Sequence, residues 1–213
     1  SPKLKQHIGN PDHGVLIADV NFEIGGNYQP LPGLNFSAVV QTFVFGNLDK
    51  ITRKSNSKLE HVRSDIVSYL KEGRNSLKTL QASYFQSLAP NWYGRVTAGI
   101  FEAMYGGIGA EVLFRPFGKK WALGADINWV KQRDFNQLFR FRNYNTVTGH
   151  ATLHYELPFY NMRAQVSAGR YLAGDKGVSF DFSRQFKSGV RVGAFATFTN
   201  ASAEDFGEGS FDK

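Results

Sequence analysis

From Trp121 to Trp129 every second residue is apolar or aromatic: Trp121, Leu123, Ala125, Ile127 and Trp129 point one way, and Ala122, Gly124, Asp126 and Asn128 the other. Successive side chains of a β-strand face opposite sides, whereas an α-helix repeats roughly every 3.6 residues. The scheme recurs three times downstream. Thr148, His150, Thr152, His154 and Glu156 oppose Gly149, Ala151, Leu153, Tyr155 and Leu157. Met162, Ala164, Val166 and Ala168 oppose Arg163, Gln165, Ser167 and Gly169, and Val190, Val192, Ala194, Ala196 and Phe198 oppose Arg191, Gly193, Phe195, Thr197 and Thr199. A helical period fits none of the four segments. They are strands.

The stretches Ile108–Phe117 and Trp92–Phe101 alternate similarly, and Leu77–Leu88, Leu34–Phe45 and Val15–Ile24 are noisier but still strand-like. The reading is all-β, an antiparallel up-and-down meander of about ten strands, most of them near ten residues. That exceeds the usual strand of about 5–6 residues and matches the roughly 9–11 that cross a bilayer on a tilt. Tight turns are predicted at Phe117–Lys120, Pro158–Asn161, Gly174–Gly177 and Lys187–Gly189, with longer connections at Arg133–Val147 and Gly46–Ser76. The longest is charged, most densely at Lys50–Lys58, and the spacing of Leu59, Val62, Ile66, Val67 and Leu70 predicts one short helix over 59–70. Gly106-Gly107-Ile108-Gly109 reads as a hairpin turn using the positive φ open to glycine. It is no phosphate loop, because no Lys-Ser/Thr follows.

An antiparallel sheet with one polar face fits two architectures. In a water-soluble barrel or sandwich the apolar face is the interior. In a membrane barrel the apolar face meets lipid and the polar face lines a lumen. Three features favour the second. The apolar faces hold small residues, Ala110, Ala125, Ala151, Ala164, Ala168, Ala194 and Ala196, that would fill a soluble core poorly. Aromatics gather near strand ends, at Trp92, Tyr93, Phe114, Phe117, Trp121, Trp129, Tyr155, Phe159 and Tyr160, where interface girdles belong. Glycine recurs on the polar face, at Gly99, Gly109, Gly124, Gly169 and Gly193, leaving lumen space or allowing strand curvature. Bends in a soluble β-fold are the alternative role for those glycines.

Composition narrows the chemistry. Among 213 residues there is no cysteine, which excludes a disulfide scaffold, a zinc ribbon and thiol catalysis. The predicted lumen-facing charged set is Arg95, Glu111, Arg115, Asp126, His150, His154, Glu156, Arg163, Asp181 and Arg191. Arginine and carboxylate on one wall can contact sugar hydroxyls and acidic sugars, because guanidinium forks match carboxylates. Pairing across neighbouring strands to neutralise the lumen is the simpler role, and nothing marks one cluster. His150 and His154 stand four residues apart on one strand, about 13 Å, too far to share a metal ion. No metal or cofactor is expected. A barrel hydrolase would need Ser167 or Ser183 beside His150 or His154, and no G-x-S-x-G elbow occurs. The net charge of +7 is spread over turns and loops rather than clustered with aromatics, which argues against nucleic acid.

Several long runs carry a family resemblance. MYGGIGAEVLFRPFGKKWALGADINWVKQRDF (104–135), VTGHATLHYELPFY (147–160), AGRYLAGDKGVSFDFSRQF (168–186), VRVGAFATFT (190–199) and FGEGSFDK (206–213) resemble the YjbH family of exopolysaccharide-associated outer-membrane proteins. VRSDIVSYLKEG (62–73) is similar to the stretch before that family's barrel strands. The resemblance covers about Val62 to Lys213 and is less clear before it. It implies a Gram-negative outer-membrane β-barrel, non-enzymatic, that supports secretion or assembly of an extracellular polysaccharide. The partners it implies are the exopolysaccharide, outer-membrane lipid and other polysaccharide-secretion proteins. Members of the family are several times longer, so residues 1–213 are expected to be a single barrel segment of a longer protein. Two alternatives stay open at this point. One is a surface polysaccharide-binding, lectin-like barrel using Phe139, Phe141 and Tyr144 beside Arg140 and Arg142; the other is a barrel hydrolase.

Overall fold

A computed structural model describes residues 2–10, 14–48, 65–202 and 205, with the backbone alone for 4–10 and 14–17. One sheet holds eleven strands laid side by side in chain order, each antiparallel to the next. They are β1 (Pro2–Asn10), β2 (Gly14–Leu31), β3 (Leu34–Gly46), β4 (Ser76–Ala89), β5 (Trp92–Ile100) and β6 (Tyr105–Phe114). Then follow β7 (Trp121–Arg133), β8 (Phe141–Glu156), β9 (Met162–Arg170), β10 (Lys176–Gln185) and β11 (Arg191–Thr199). The all-β antiparallel meander expected from the alternation is the fold, with one strand more than about ten. β1 lies at the chain start, where Gln6 between Leu4 and Ile8 blurs the apolar set. Strands β1 and β11 are each paired on one side only. Ten antiparallel steps separate them, so they run in the same direction.

Three boundaries differ from the sequence reading. The glycines of Gly106–Gly109 lie inside β6 and none has positive φ; the reversal before them falls at 101–104. Close strand packing explains the small residues there, since a side chain at Gly106 would press on the Gly99 carbonyl and the Phe141 ring. β8 starts at Phe141, so the connection from β7 is only 134–140; a register shift between Lys131 and Arg133 lets the extra residues pair. The helix α1 is Ile66–Glu72. Leu59, Val62 and the charged run Lys50–Lys58 lie outside the described residues.

Burial in this sheet is inverted relative to a water-soluble β-protein. Among the described residues the buried polar side chains, including Asn21, Gln41, Gln132, Thr146, Thr148, Ser167 and Ser183, outnumber the buried apolar ones, eleven to seven. The apolar face stands open, with Leu123 at 50% and Ile127 at 59% exposure, while Asp126 and Asn128 on either side of Ile127 are partly covered. What apolar core exists sits at one end of the polar face. There Tyr69 of α1 packs with Met104, Tyr105 and Val130, flanked by Phe135, Tyr144 and Leu172. The opposite side of α1 presents Val67 and Leu70 to Leu48. Tyr69 was absent from the predicted apolar stripe because a phenol does not score as apolar, yet it is the most buried residue of the helix.

Candidate functional site

Antiparallel register turns the predicted wall residues into lateral rows. Arg95 faces Glu111, Glu111 faces Asp126, and Asp126 faces His150 across four successive strands. Each carboxylate of the row has a nitrogen-bearing neighbour. Arg95 Nη2 donates to Glu111 Oε2 at 2.5 Å, and His150 Nδ1 stands 3.5 Å from Asp126 Oδ2, which also accepts from Asn128 Nδ2 at 2.8 Å. Gly169 is the next residue along the row, and a Cβ there would meet the His150 ring at 2.8 Å. Its absence admits the imidazole, which tilts against Tyr171 with ring centroids 4.9 Å apart. Pairs of this kind contribute only about 0.2–1 kcal/mol each.

The adjacent row is made of hydroxyls. Thr152 faces Ser167, Ser167 faces Ser179, and Ser179 faces Thr197. Thr152 Oγ1 and Ser167 Oγ lie 3.0 Å apart, Ser179 Oγ and Thr197 Oγ1 2.8 Å apart, and Tyr171 Oη is 2.5 Å from Ser179 Oγ. Buried hydroxyls satisfy one another here, as burial requires. Ser183 accepts twice from the Arg191 guanidinium, at 3.1 and 2.7 Å. Among the described residues neither Ser167 nor Ser183 is within hydrogen-bond reach of His150 or His154, so the sheet does not assemble the set that a serine hydrolase needs.

The remaining predicted residues gather toward the 115–120, 157–161 and 186–190 turns. His154, Gln165 and Asp181 form one row and Glu156 faces Arg163 in the next. Arg115 Nη2 lies 3.8 Å from Glu156 Oε1. Together with Lys119, Lys120 and Arg191 these side chains line an open cleft of about 390 Å³. Six of the ten predicted residues are thus brought to one place, and Arg95, Glu111, Asp126 and His150 to another. The sequence reading missed Lys119, Lys120 and Gln165. Lys119 and Lys120 belong to a turn and had been read as a mere connection. The lectin-like reading loses a member, because Tyr144 Oη is bound to the Leu172 carbonyl at 2.5 Å and its ring joins the buried cluster. Phe139 remains 70% exposed.

The far end of the polar face is closed by a cap centred on Arg133, which is fully buried. Its Nη1 donates to the carbonyls of Glu102 at 2.7 Å and Ala103 at 3.3 Å, and its Nη2 to those of Leu77 and Leu138, both at 2.9 Å, and of Gln137. Tyr69 Oη donates to the Arg133 carbonyl at 2.6 Å, and Gln137 Nε2 to the Tyr69 carbonyl at 2.8 Å. Gly73 ends α1 where a Cβ would collide with the Gln137 amide, so this contact is possible only beside glycine. The guanidinium therefore ties two connections, 101–104 and 134–140, to the start of β4, and the Arg133 carbonyl holds α1.

Burial pushes the Tyr69 phenol up to about 12, with the Gln132 hydrogen bond acting weakly the other way. An unfolded tyrosine titrates near about 10, so the fold favours the neutral phenol. The stabilisation it contributes is complete below about pH 10 and is lost as pH rises toward about 12. We expect near-ultraviolet absorbance to show one tyrosine ionising late, with loss of protection at α1 amides over that interval. In a Tyr69→Phe variant that late step should be absent.

A family described as "YjbH: Exopolysaccharide biosynthesis protein YbjH" matches residues 1–213. The "Uncharacterized lipoprotein YjbH" of Escherichia coli (strain K12) is 37% identical over 223 residues, a match that covers 100% of this chain and 31% of the relative. The chain thus spans about a third of the length of that curated relative. No solved structure matches it.

Proposed function

This chain belongs to the YjbH exopolysaccharide biosynthesis family, and from that premise we propose that it is a segment of an outer-membrane β-barrel supporting exopolysaccharide secretion or assembly, without a reaction of its own. The inverted burial carries this reading. A sheet that opens Ile24, Leu123, Ile127, Trp129 and Phe182 to its surroundings while covering Asn21, Gln41, Thr148 and Ser167 is built for lipid outside and water within. Exposing that much apolar surface to water would forfeit the main driving force of folding, about 25 cal/mol per Å². Aromatic rings near the tight-turn end supply the girdle: Trp92 stacks on Phe114 at 4.8 Å and Phe114 meets Trp121 at 5.8 Å. The naming of the E. coli relative as a lipoprotein supports an envelope location.

The topology also bears on closure. β1 and β11 point the same way, so they would meet only as a parallel pair. Closing an antiparallel barrel takes an odd number of further strands, and the relative's additional length has room for them. The polar wall would then line the path of the polymer, with exopolysaccharide, lipid and other secretion proteins as partners. The test is a lipid-phase quencher and a spin label placed in turn at Ile127 and Asp126 of the full-length protein in bilayers. Lipid contact at Ile127 with water contact at Asp126 is expected. An Ile127 shielded from both would make the apolar face a soluble core and end the membrane reading.

A further inference from the structure

The two charged regions of the polar face are electrostatically unlike. Arg95 pairs with Glu111, and Asp126 lies beside His150 and Asn128, so the one arginine of the inner row is already taken by a carboxylate. The cleft at the tight-turn mouth is different. Once Arg115 is assigned to Glu156, it still holds Lys119, Lys120, Arg163 and Arg191 against the single carboxylate of Asp181. Among the described residues neither Arg163 nor Arg191 is within ion-pair distance of a carboxylate, and Arg191 spends its fork on a serine hydroxyl. A second hollow of about 330 Å³ shares Lys120, Glu156 and Arg163 with the first and continues under the 157–161 turn.

That turn is made at a cost. The Phe159 carbonyl accepts from the Met162 N–H at 3.3 Å, and the two central residues, Tyr160 and Asn161, have φ of +54° and +49°. This is the type I′ arrangement, in which glycine or asparagine normally occupies the first central position. A tyrosine there is strained, and its ring lies against Phe159, centroids 5.9 Å apart, and 5.0 Å from the Arg184 guanidinium, on the apolar side that Arg184 shares with Met162 and Val192. The ring thus belongs with the strand-end aromatics and leaves the cation-lined cleft on the other face uncovered.

We infer that the cleft between Lys120, Arg163 and Arg191 binds a carboxylate-bearing sugar unit, which would make the polymer an acidic one. The inference rests on the reading of this wall as a polysaccharide path. A guanidinium matches a carboxylate in two parallel hydrogen bonds. Asp181, Glu156 and Gln165 offer acceptors for sugar hydroxyls. Glu156 and Asp181 in the same cleft repel a phosphate dianion more than a single carboxylate, and inorganic phosphate serves as the control for it.

The experiment is calorimetric titration of the full-length protein in nanodiscs with hexagalacturonate, its fully methyl-esterified form, and inorganic phosphate. Saturable binding of the free acid alone is expected, weakened about tenfold or more by Arg163→Gln, the loss typical of one charge-assisted hydrogen bond. Tyr160→Asn, outside the cleft, should spare binding while leaving the unfolding midpoint unchanged or higher, since asparagine suits the turn. Equal binding of ester and acid, stronger binding of phosphate, or indifference to Arg163→Gln would overturn the inference. The Ile127 lipid contact, measured on the same nanodiscs, shows whether the barrel reading stands when the cleft does not bind.

Discussion

Replacing Arg133 by methionine is expected to lower unfolding free energy by about 3–5 kcal/mol, among the largest single-residue effects in the chain. The reason lies in what stays behind. Five carbonyls, of Leu77, Glu102, Ala103, Gln137 and Leu138, converge on one guanidinium, and methionine fills the space while satisfying none of them. Exchanging both sides of a buried polar contact for apolar groups can be neutral, but backbone carbonyls cannot be exchanged. Lysine should not rescue, because a point charge with three donors cannot span acceptors arranged around a planar fork. Tyr69→Phe, which removes one hydrogen bond to the Arg133 carbonyl, should cost only about 1 kcal/mol. Urea unfolding of the protein in detergent, with tryptophan emission as the signal, gives all three values. An Arg133→Met midpoint no lower than that of Tyr69→Phe would mean that the carbonyls are served by water and that the cap is not tied by this residue.

Ile127→Arg is the second large effect, and it separates lipid from water. At 59% exposure Ile127 sits midway along β7, between Ala110 and Gly149 on the flanking strands. If its surroundings are acyl chains, an arginine there costs about 2–4 kcal/mol, the value found near the midplane of a barrel. If its surroundings are water, the same change is a surface substitution worth within about 0.5 kcal/mol of nothing. Reversible folding into lipid vesicles measures the difference, and a cost under about 1 kcal/mol would contradict the membrane assignment. Because the substitution adds a charge to a position with no partner to lose, the result reads the solvent rather than the packing.

Much of the fold was legible in the sequence, and the gaps have physical causes. Alternation through β7, β9 and β11 follows from one face being apolar and the other polar, and there the strands are legible to within a few residues of their ends, whereas 141–147 of β8 reads as part of a connection. Where a strand carries glycine in place of a patterned side chain, as at Gly106–Gly109, the period-2 signal fades and the residues read as a turn. Where a helix buries a phenol, as at Tyr69, a hydropathy stripe passes over it. Arg133 offered no signal at all, being one arginine in a run of mixed charge at a strand end. Lys119 and Lys120 matter only because the 115–120 turn stands beside β8 and β9.

What the sequence by itself determined is therefore the face of every patterned side chain, since that depends on residue parity alone. It placed Arg95, Glu111, Asp126 and His150 on the polar side, and likewise Arg163, Asp181 and Arg191. It could not say who meets whom. Cross-strand partners depend on register, and register is set by turn lengths and by the shifts between Val20 and Asn21, Val39 and Val40, and Lys131 and Arg133. Only the assembled sheet decided that the inner arginine meets a carboxylate in its row while the mouth keeps its cations. The cause is that hydrogen bonds between strands link residues tens of positions apart, and no local pattern records that distance.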